Sequence, residues 1–180
     1  MARPRIAILD DDLAHLQLLA EILGSEGYAV ATEADLRAGY LFVKDRRPAL
    51  VILDLVQDRQ PVGLEVLRAL RADPATRAVA ILVVSADTRV LTAHAARFRQ
   101  AGIGVLDKPY DLDDLLGKVS HGVARHAAAA QPGPPRAPLS RPAPSAVGWG
   151  GERDSWPEWL ALQEGPAARR RAARAPRRPG

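Results

Sequence analysis

Four kinds of residue in this 180-residue chain are placed to handle charge: the acid run Asp10, Asp11 and Asp12, the lone acid Asp54, the hydroxyl of Ser85, and the ammonium of Lys108 just before Pro109. Each follows a short apolar run: IAIL, LVIL, ILVV and VL. Carboxylates gathered at one place repel one another and take up protons unless a cation shares the pocket, and hard divalent ions such as Mg²⁺ prefer oxygen ligands of this kind. An aspartate carboxylate can also act as nucleophile toward a phosphoryl group, forming an aspartyl phosphate. Such a transfer rests on positioning and on neutralising the phosphoryl oxygens, so a metal, an ammonium and a hydroxyl would complete the set. Asp54 is the carboxylate placed to react, with Lys108 and Ser85 as the donors.

These residues can converge only if the chain folds to bring them together. Apolar β-rich runs at 5–9, 29–32, 50–53, 80–84 and 104–106 alternate with amphipathic stretches at 13–23, 35–44, 64–72, 90–101 and 112–125. This strict alternation predicts a doubly wound α/β domain, a five-stranded parallel sheet with five helices on its two faces. In such a sheet ligands bind beyond the carboxyl ends of the strands, near a topological switch point. The chemically competent residues all stand at those ends.

Composition bounds the rest. Hydrophobic residues make up 47% of the chain, enough for a real core. There is no cysteine, which excludes disulfides and thiolate zinc sites and favours an intracellular compartment. The N-terminal apolar run is broken at once by three acids, and no stretch has the length to span a bilayer, so a soluble cytoplasmic protein with no membrane partner is expected. The net charge of +4 divides unevenly: residues 1–126 carry 16 Lys+Arg against 17 Asp+Glu, and residues 127–180 carry 9 against 4. The basic balance belongs to the tail and does not argue that the domain binds nucleic acid.

The motifs IAILDDD, VILDL, ILVVSAD and VLDKPYDLDDLL, in this order and spacing across 5–125, resemble the receiver domain of two-component response regulators. The resemblance implies a flavodoxin-like receiver fold over 1–126 that accepts a phosphoryl group on Asp54 in a Mg²⁺-dependent reaction. The donor would be a sensor histidine kinase or a phosphotransfer protein. Asp11 would ligate the metal directly and Asp10 through water, with Asp54 and the backbone carbonyl of Val56 completing the protein ligands. Ser85 and Lys108 would contact the bound phosphoryl group, and the Lys108–Pro109 peptide would be cis. Such a protein is a phosphoacceptor in signal transduction, with at most self-catalysed transfer and slow autodephosphorylation, not an enzyme in the usual sense.

Two departures stand beside the matches. The family follows its phosphoacceptor with Met-Pro and a Gly about eight positions on, whereas Gly63 here lies nine positions after Asp54 and the loop LVQDRQPVG carries Asp58 and Arg59. An aromatic usual three residues before the lysine is Val105. Other residues read more simply: Asp12 is as readily a helix N-cap as a metal contact, Asp111, Asp113 and Asp114 favour a helix N-terminus, and His15, His94, His121 and His126 have no ligand spacing and read as surface helix residues.

Residues 127–180 are rich in Pro, Ala and Arg and read as a mostly disordered tail, within which SWPEWLALQ, 155–163, has the capping-box and apolar pattern of a short docking helix. No sequence-reading nucleic-acid module is apparent, so direct nucleic-acid binding is expected to be unlikely and an unknown downstream protein is the expected target. A stand-alone phosphoacceptor regulator is therefore the leading reading. The alternative is a phosphorylation-independent adaptor or scaffold with a receiver-like fold, acting through its C-terminal tail.

Overall fold

The computed structural model describes residues 3–130. Five strands, β1 (Arg5–Leu9), β2 (Ala29–Glu33), β3 (Leu50–Asp54), β4 (Ala80–Ser85) and β5 (Gly104–Asp107), form one parallel sheet in the order β2-β1-β3-β4-β5. Five helices connect and follow them: α1 (Leu13–Ser25), α2 (Gly39–Arg46), α3 (Val62–Ala72), α4 (Thr88–Gln100) and α5 (Leu112–Ala130). The doubly wound five-stranded α/β fold expected from the alternation is the fold observed.

Successive strand residues face opposite sides, so each strand feeds two cores. Ala7, Leu9, Val51, Leu53, Ile81 and Val83 pack with residues of α2, α3 and α4 on one face. Ile6, Ile8, Leu50, Ile52, Leu82 and Val84 pack with α1 and α5 on the other. All five residues of β3 are buried, because it lies between β1 and β4 with helices on both sides. Each fully buried Leu or Ile contributes about 1.5–3 kcal/mol, so the central strands hold the sheet rim rigidly.

The strands run further than their apolar stretches. Asp54 is paired with Val84 and Ser85 with Asp107, inside the ladder rather than after it. Backbone pairing, not side-chain polarity, sets where a strand ends, and this puts the polar site residues on the sheet itself. Helix limits shift for local reasons. Asp35 caps a 3-10 turn at Leu36–Ala38 before α2 begins, and Asp87 accepts the N–H groups of Arg89 and Val90 at 3.0 and 3.3 Å, starting α4 at Thr88. At the far end the alanines continue α5 to Ala130, since alanine is the best helix former. The compositional boundary at 126/127 thus falls within α5. The proposed docking helix at 155–163 and the rest of the tail from 131 lie outside the described residues. Among the described residues no helix is long and apolar enough to cross a membrane.

Candidate functional site

In the order β2-β1-β3-β4-β5 the chain reverses direction between β1 and β3, and the cleft at their carboxyl ends is the switch point where ligands of open α/β sheets bind. Asp10 follows β1, Asp54 ends β3, Ser85 ends β4 and Lys108 follows β5. The structure brings these four together with Asp11. Lys108 Nζ donates to Asp10 Oδ2 at 2.8 Å and to Asp54 Oδ2 at 2.7 Å. The Lys108 N–H reaches the Ser85 carbonyl at 3.0 Å, and the Lys108–Pro109 peptide is cis. Asp10, Asp54 and Ser85 are 2, 8 and 0% exposed, while Asp11 is exposed and Lys108 partly so.

The charges are balanced by contact. Burial alone would raise the Asp10 carboxyl, but hydrogen bonds from His15, Lys108 and the Asp12 N–H outweigh it and hold Asp10 below the ordinary carboxylate range. Burial works against the Lys108 ammonium too, and the two carboxylates reverse that, raising it above an ordinary lysine. Asp11 is pushed up by burial and by the negative charges of Asp10 and Asp54. One ammonium thus serves three carboxylates whose oxygens lie within 4.8 Å of one another. An all-oxygen set with surplus negative charge suits Mg²⁺, whose binding is a general property of receiver domains. When bound, the ion would neutralise the phosphoryl oxygens, and Asp10, Asp11 and Asp54 are the side chains placed to hold it.

The longer loop after Asp54 does not disturb this arrangement. Val56 donates its N–H to Asp54 Oδ1 at 3.0 Å, fixing the carboxylate from behind. Gln57 and Gln60 exchange backbone hydrogen bonds of 3.0 and 2.8 Å across a two-residue turn in which Asp58 and Arg59 both have positive φ, 51° and 61°. The additional residue is absorbed in this small hairpin, whose Gln57 side chain also accepts the Leu36 N–H at 2.9 Å. The chain then returns so that the Gly63 N–H meets the Leu55 carbonyl at 3.0 Å. Ser85 Oγ accepts the Asp87 N–H at 3.2 Å, which ties the hydroxyl to the start of α4. Asp12 caps α1 by accepting the N–H groups of Ala14 and His15, which settles its role as a helix cap.

Two residues that sequence reasoning passed over sit at the site. His15, expected at the helix surface, turns inward: its Nδ1 lies 2.6 Å from Asp10 Oδ2 and its Nε2 contacts the Tyr110 hydroxyl. A carboxylate only accepts, so Nδ1 carries the proton, and in the neutral ring Nε2 accepts from Tyr110. The available signal was positional. With Asp12 as N-cap, residue 15 lies in the first turn of a helix that starts at the acid pocket, and Tyr110 follows the Lys-Pro pair.

Residues 6–120 match the family model of the response regulator receiver domain. The chain is 35% identical over 124 residues to the DNA-binding response regulator MtrA of Mycolicibacterium paratuberculosis, covering 69% of this chain and 53% of MtrA. It is 30% identical over 136 residues to the photosynthetic apparatus regulatory protein RegA of Rhodobacter capsulatus, covering 75% of this chain and 68% of RegA. A response regulator receiver protein from Pseudomonas putida superposes with a TM-score of 0.58 at 31% identity, covering 67% of this chain and 98% of that one. The chain spans about half the length of the curated relatives it matches first. These relatives correct one expectation. Direct nucleic-acid binding was expected to be unlikely because no reading module is apparent in the chain, yet MtrA is named for DNA binding and this chain covers only 53% of it. The chain belongs to the response regulator receiver family, whose members serve two-component signalling as phosphoacceptors rather than as enzymes of metabolism.

Proposed function

We propose that Asp54 is the phosphoacceptor of this protein, in a Mg²⁺-dependent reaction with a phosphohistidine on a sensor kinase or phosphotransfer protein in the cytoplasm. An Asp54 carboxylate oxygen attacks phosphorus as the bond to the donor nitrogen breaks, and the imidazole leaves with its electron pair. Lys108 would follow the charge from the carboxylate to the phosphoryl oxygens, and the Ser85 hydroxyl would donate to one of them. Asp11, Asp54 and the Val56 carbonyl would hold the metal directly and Asp10 through water. The observation that carries the reading is the Lys108 ammonium placed between Asp10 and Asp54 at 2.8 and 2.7 Å. A scaffold that never met a phosphoryl group has no physical need of three clustered carboxylates under one lysine.

The phosphorylated state would act on a macromolecular partner, with DNA included because the relatives are named for it. Incubating the full chain with Mg²⁺ and acetyl phosphate and measuring intact mass tests the chemistry. An adduct present in the wild type and absent in Asp54→Asn is expected; no adduct from acetyl phosphate or from any kinase would sink the reading.

A further inference from the structure

At the end of the sheet remote from Asp54, a groove of about 850 Å³ opens between α5 and the starts of β4 and β5. Its floor is apolar, formed by the buried Leu50, Val79, Ile81 and Leu82, and at Gly117 in its lining an added Cβ would meet nothing within 4 Å. Its rim is basic, formed by Arg71, Arg77, Lys118 and Arg125 against the single acid Asp114. Lys118 pairs with Asp114 at 3.1 Å, and among the described residues no carboxylate pairs with the three arginines. Arg71 instead donates to the carbonyls of Arg77 and Val79, both at 2.9 Å. Burial and the neighbouring Arg125 cation push its guanidinium down to about 10, so it stays charged at neutral pH. His126, also in the lining, keeps a buried Nδ1 without a hydrogen-bond partner among the described residues.

The sequence beyond α5 supplies a complementary segment. All four acids of residues 127–180, Glu152, Asp154, Glu158 and Glu164, fall within 152–164, where Arg153 is the lone base. The same stretch holds Trp156, Trp159, Leu160 and Leu162. We propose that residues 152–164 dock intramolecularly in the groove between α5 and the starts of β4 and β5, with their tryptophans on the apolar floor and their carboxylates against Arg71, Arg77 and Arg125.

The tether permits it. Residues 131–151 are 21 in number, and at about 3.1 Å each a Pro-rich chain reaches roughly 65 Å. The groove face of α5 from Ala129 back to Asp114 covers only about 22 Å at 1.5 Å per residue. A tether of this kind gives an effective concentration on the order of 1 mM, so an intrinsic Kd of about 0.1 mM would leave roughly nine chains in ten docked. Because the groove lies at the end of the sheet opposite to Asp54, docking leaves the Asp54 rim open.

Tryptophan fluorescence of the full chain reads this directly, because Trp149, Trp156 and Trp159 are the only tryptophans and all lie beyond α5. Relative to a synthetic peptide of residues 147–166, the full chain should show blue-shifted emission and reduced acrylamide quenching, both independent of protein concentration. Arg77→Glu with Arg125→Glu should shift both readouts to the peptide values, and adding Asp154→Arg with Glu158→Arg should restore them. Gly117→Leu, whose Cβ would meet nothing within 4 Å, should also release the segment while leaving the far-UV dichroism of the fold intact. Emission and quenching equal to the free peptide would overturn the proposal. Protection that rises with concentration would overturn it in favour of a second copy as the occupant. Protection indifferent to both Gly117→Leu and the arginine reversals would place the segment elsewhere and overturn the groove.

Discussion

Gly63 lies flat against the peptide that carries Asp54: a Cβ built on it would stand 2.1 Å from the Asp54 carbonyl oxygen and 2.6 Å from the Leu55 Cα. Both contacts are backbone, so no rotamer change relieves them. The close approach is locked by the Gly63 N–H to the Leu55 carbonyl, and it presses the first turn of α3 onto the strand end that presents Asp54. Gly63→Ala must displace one of the two elements, at a cost above the usual 1–3 kcal/mol of overpacking. Urea unfolding should show that loss, and phosphoryl uptake from acetyl phosphate should slow with it. A variant as stable and as fast as the wild type would show that the loop yields freely.

Removing the Lys108 ammonium leaves Asp10 and Asp54 facing each other with no cation between them. Breaking a buried ion pair by deleting one partner costs about 3–5 kcal/mol, here eased by the partial exposure of the lysine. Lys108→Gln should therefore be less stable than wild type without metal. Mg²⁺ held by the folded pocket, as proposed above, would raise the melting temperature more in the variant than in the wild type. Equal shifts would mean that the ammonium and the ion do not share the same carboxylates. Phosphoryl uptake should fall by about 10²-fold even at saturating Mg²⁺, as for loss of one charge-stabilising donor.

His15 joins α1 to the turn after β5 by contacting the Tyr110 hydroxyl, 95 residues on in sequence, while its other ring nitrogen holds the Asp10 carboxylate. If the three act as a chain, removing either end weakens the other contact. His15→Leu and Tyr110→Phe should each destabilise the fold by about 1–2 kcal/mol, and the double variant should lose less than the sum. Strict additivity in urea unfolding would show that the Tyr110 hydroxyl is held independently of the ring.

The loop after Asp54 carries backbone strain. A two-residue hairpin with positive φ at both turn positions favours Asn-Gly, and Arg59 carries a side chain where glycine is preferred. Its rim contact, Arg37 to Asp58 at 3.9 Å between exposed groups, contributes little. Asp58→Asn with Arg59→Gly should stabilise the protein by about 1 kcal/mol. The melting temperature checks it, and an unchanged or lower value would show that the side chains of the turn matter more than its dihedral angles.

The sheet and the site rim were legible because both follow from periodicity: β-rich runs of four to six residues cannot be helices here, and a doubly wound sheet must bring Asp10, Asp54, Ser85 and Lys108 to one edge. What the sequence hid is tertiary. Nothing local says that His15 turns toward Asp10 rather than solvent, since the ring is ordinary on either face of a helix. The hairpin at 57–60 was legible as added length but not as a shape, because neither Asp58 nor Arg59 announces a left-handed backbone as glycine would. The DNA binding for which MtrA is named has no counterpart motif in this chain, which spans about half of that relative's length.

A third buried carboxylate, Asp73, contributes to how the fold responds to acid. It caps α3 and accepts the Tyr40 hydroxyl at 2.8 Å and the Ala75 N–H at 2.8 Å, with Lys44 Nζ at 3.1 Å. Burial would raise its carboxyl, but the Ala75, Tyr40 and Lys44 contacts prevail and hold it below the ordinary carboxylate value. A carboxyl lowered on folding adds stability that is complete above its unfolded pKa of about 3.9 and is lost as pH falls through the lower folded value. Asp73→Asn keeps the acceptor and removes the charge, so it should be less stable than wild type by about 1–3 kcal/mol at pH 7. Because the wild-type advantage disappears on protonation, the two urea-unfolding free energies should converge as pH drops from 5 toward 3. A gap that stays constant over that range would mean that Asp73 acts through its shape and hydrogen bonds, with no contribution from its charge.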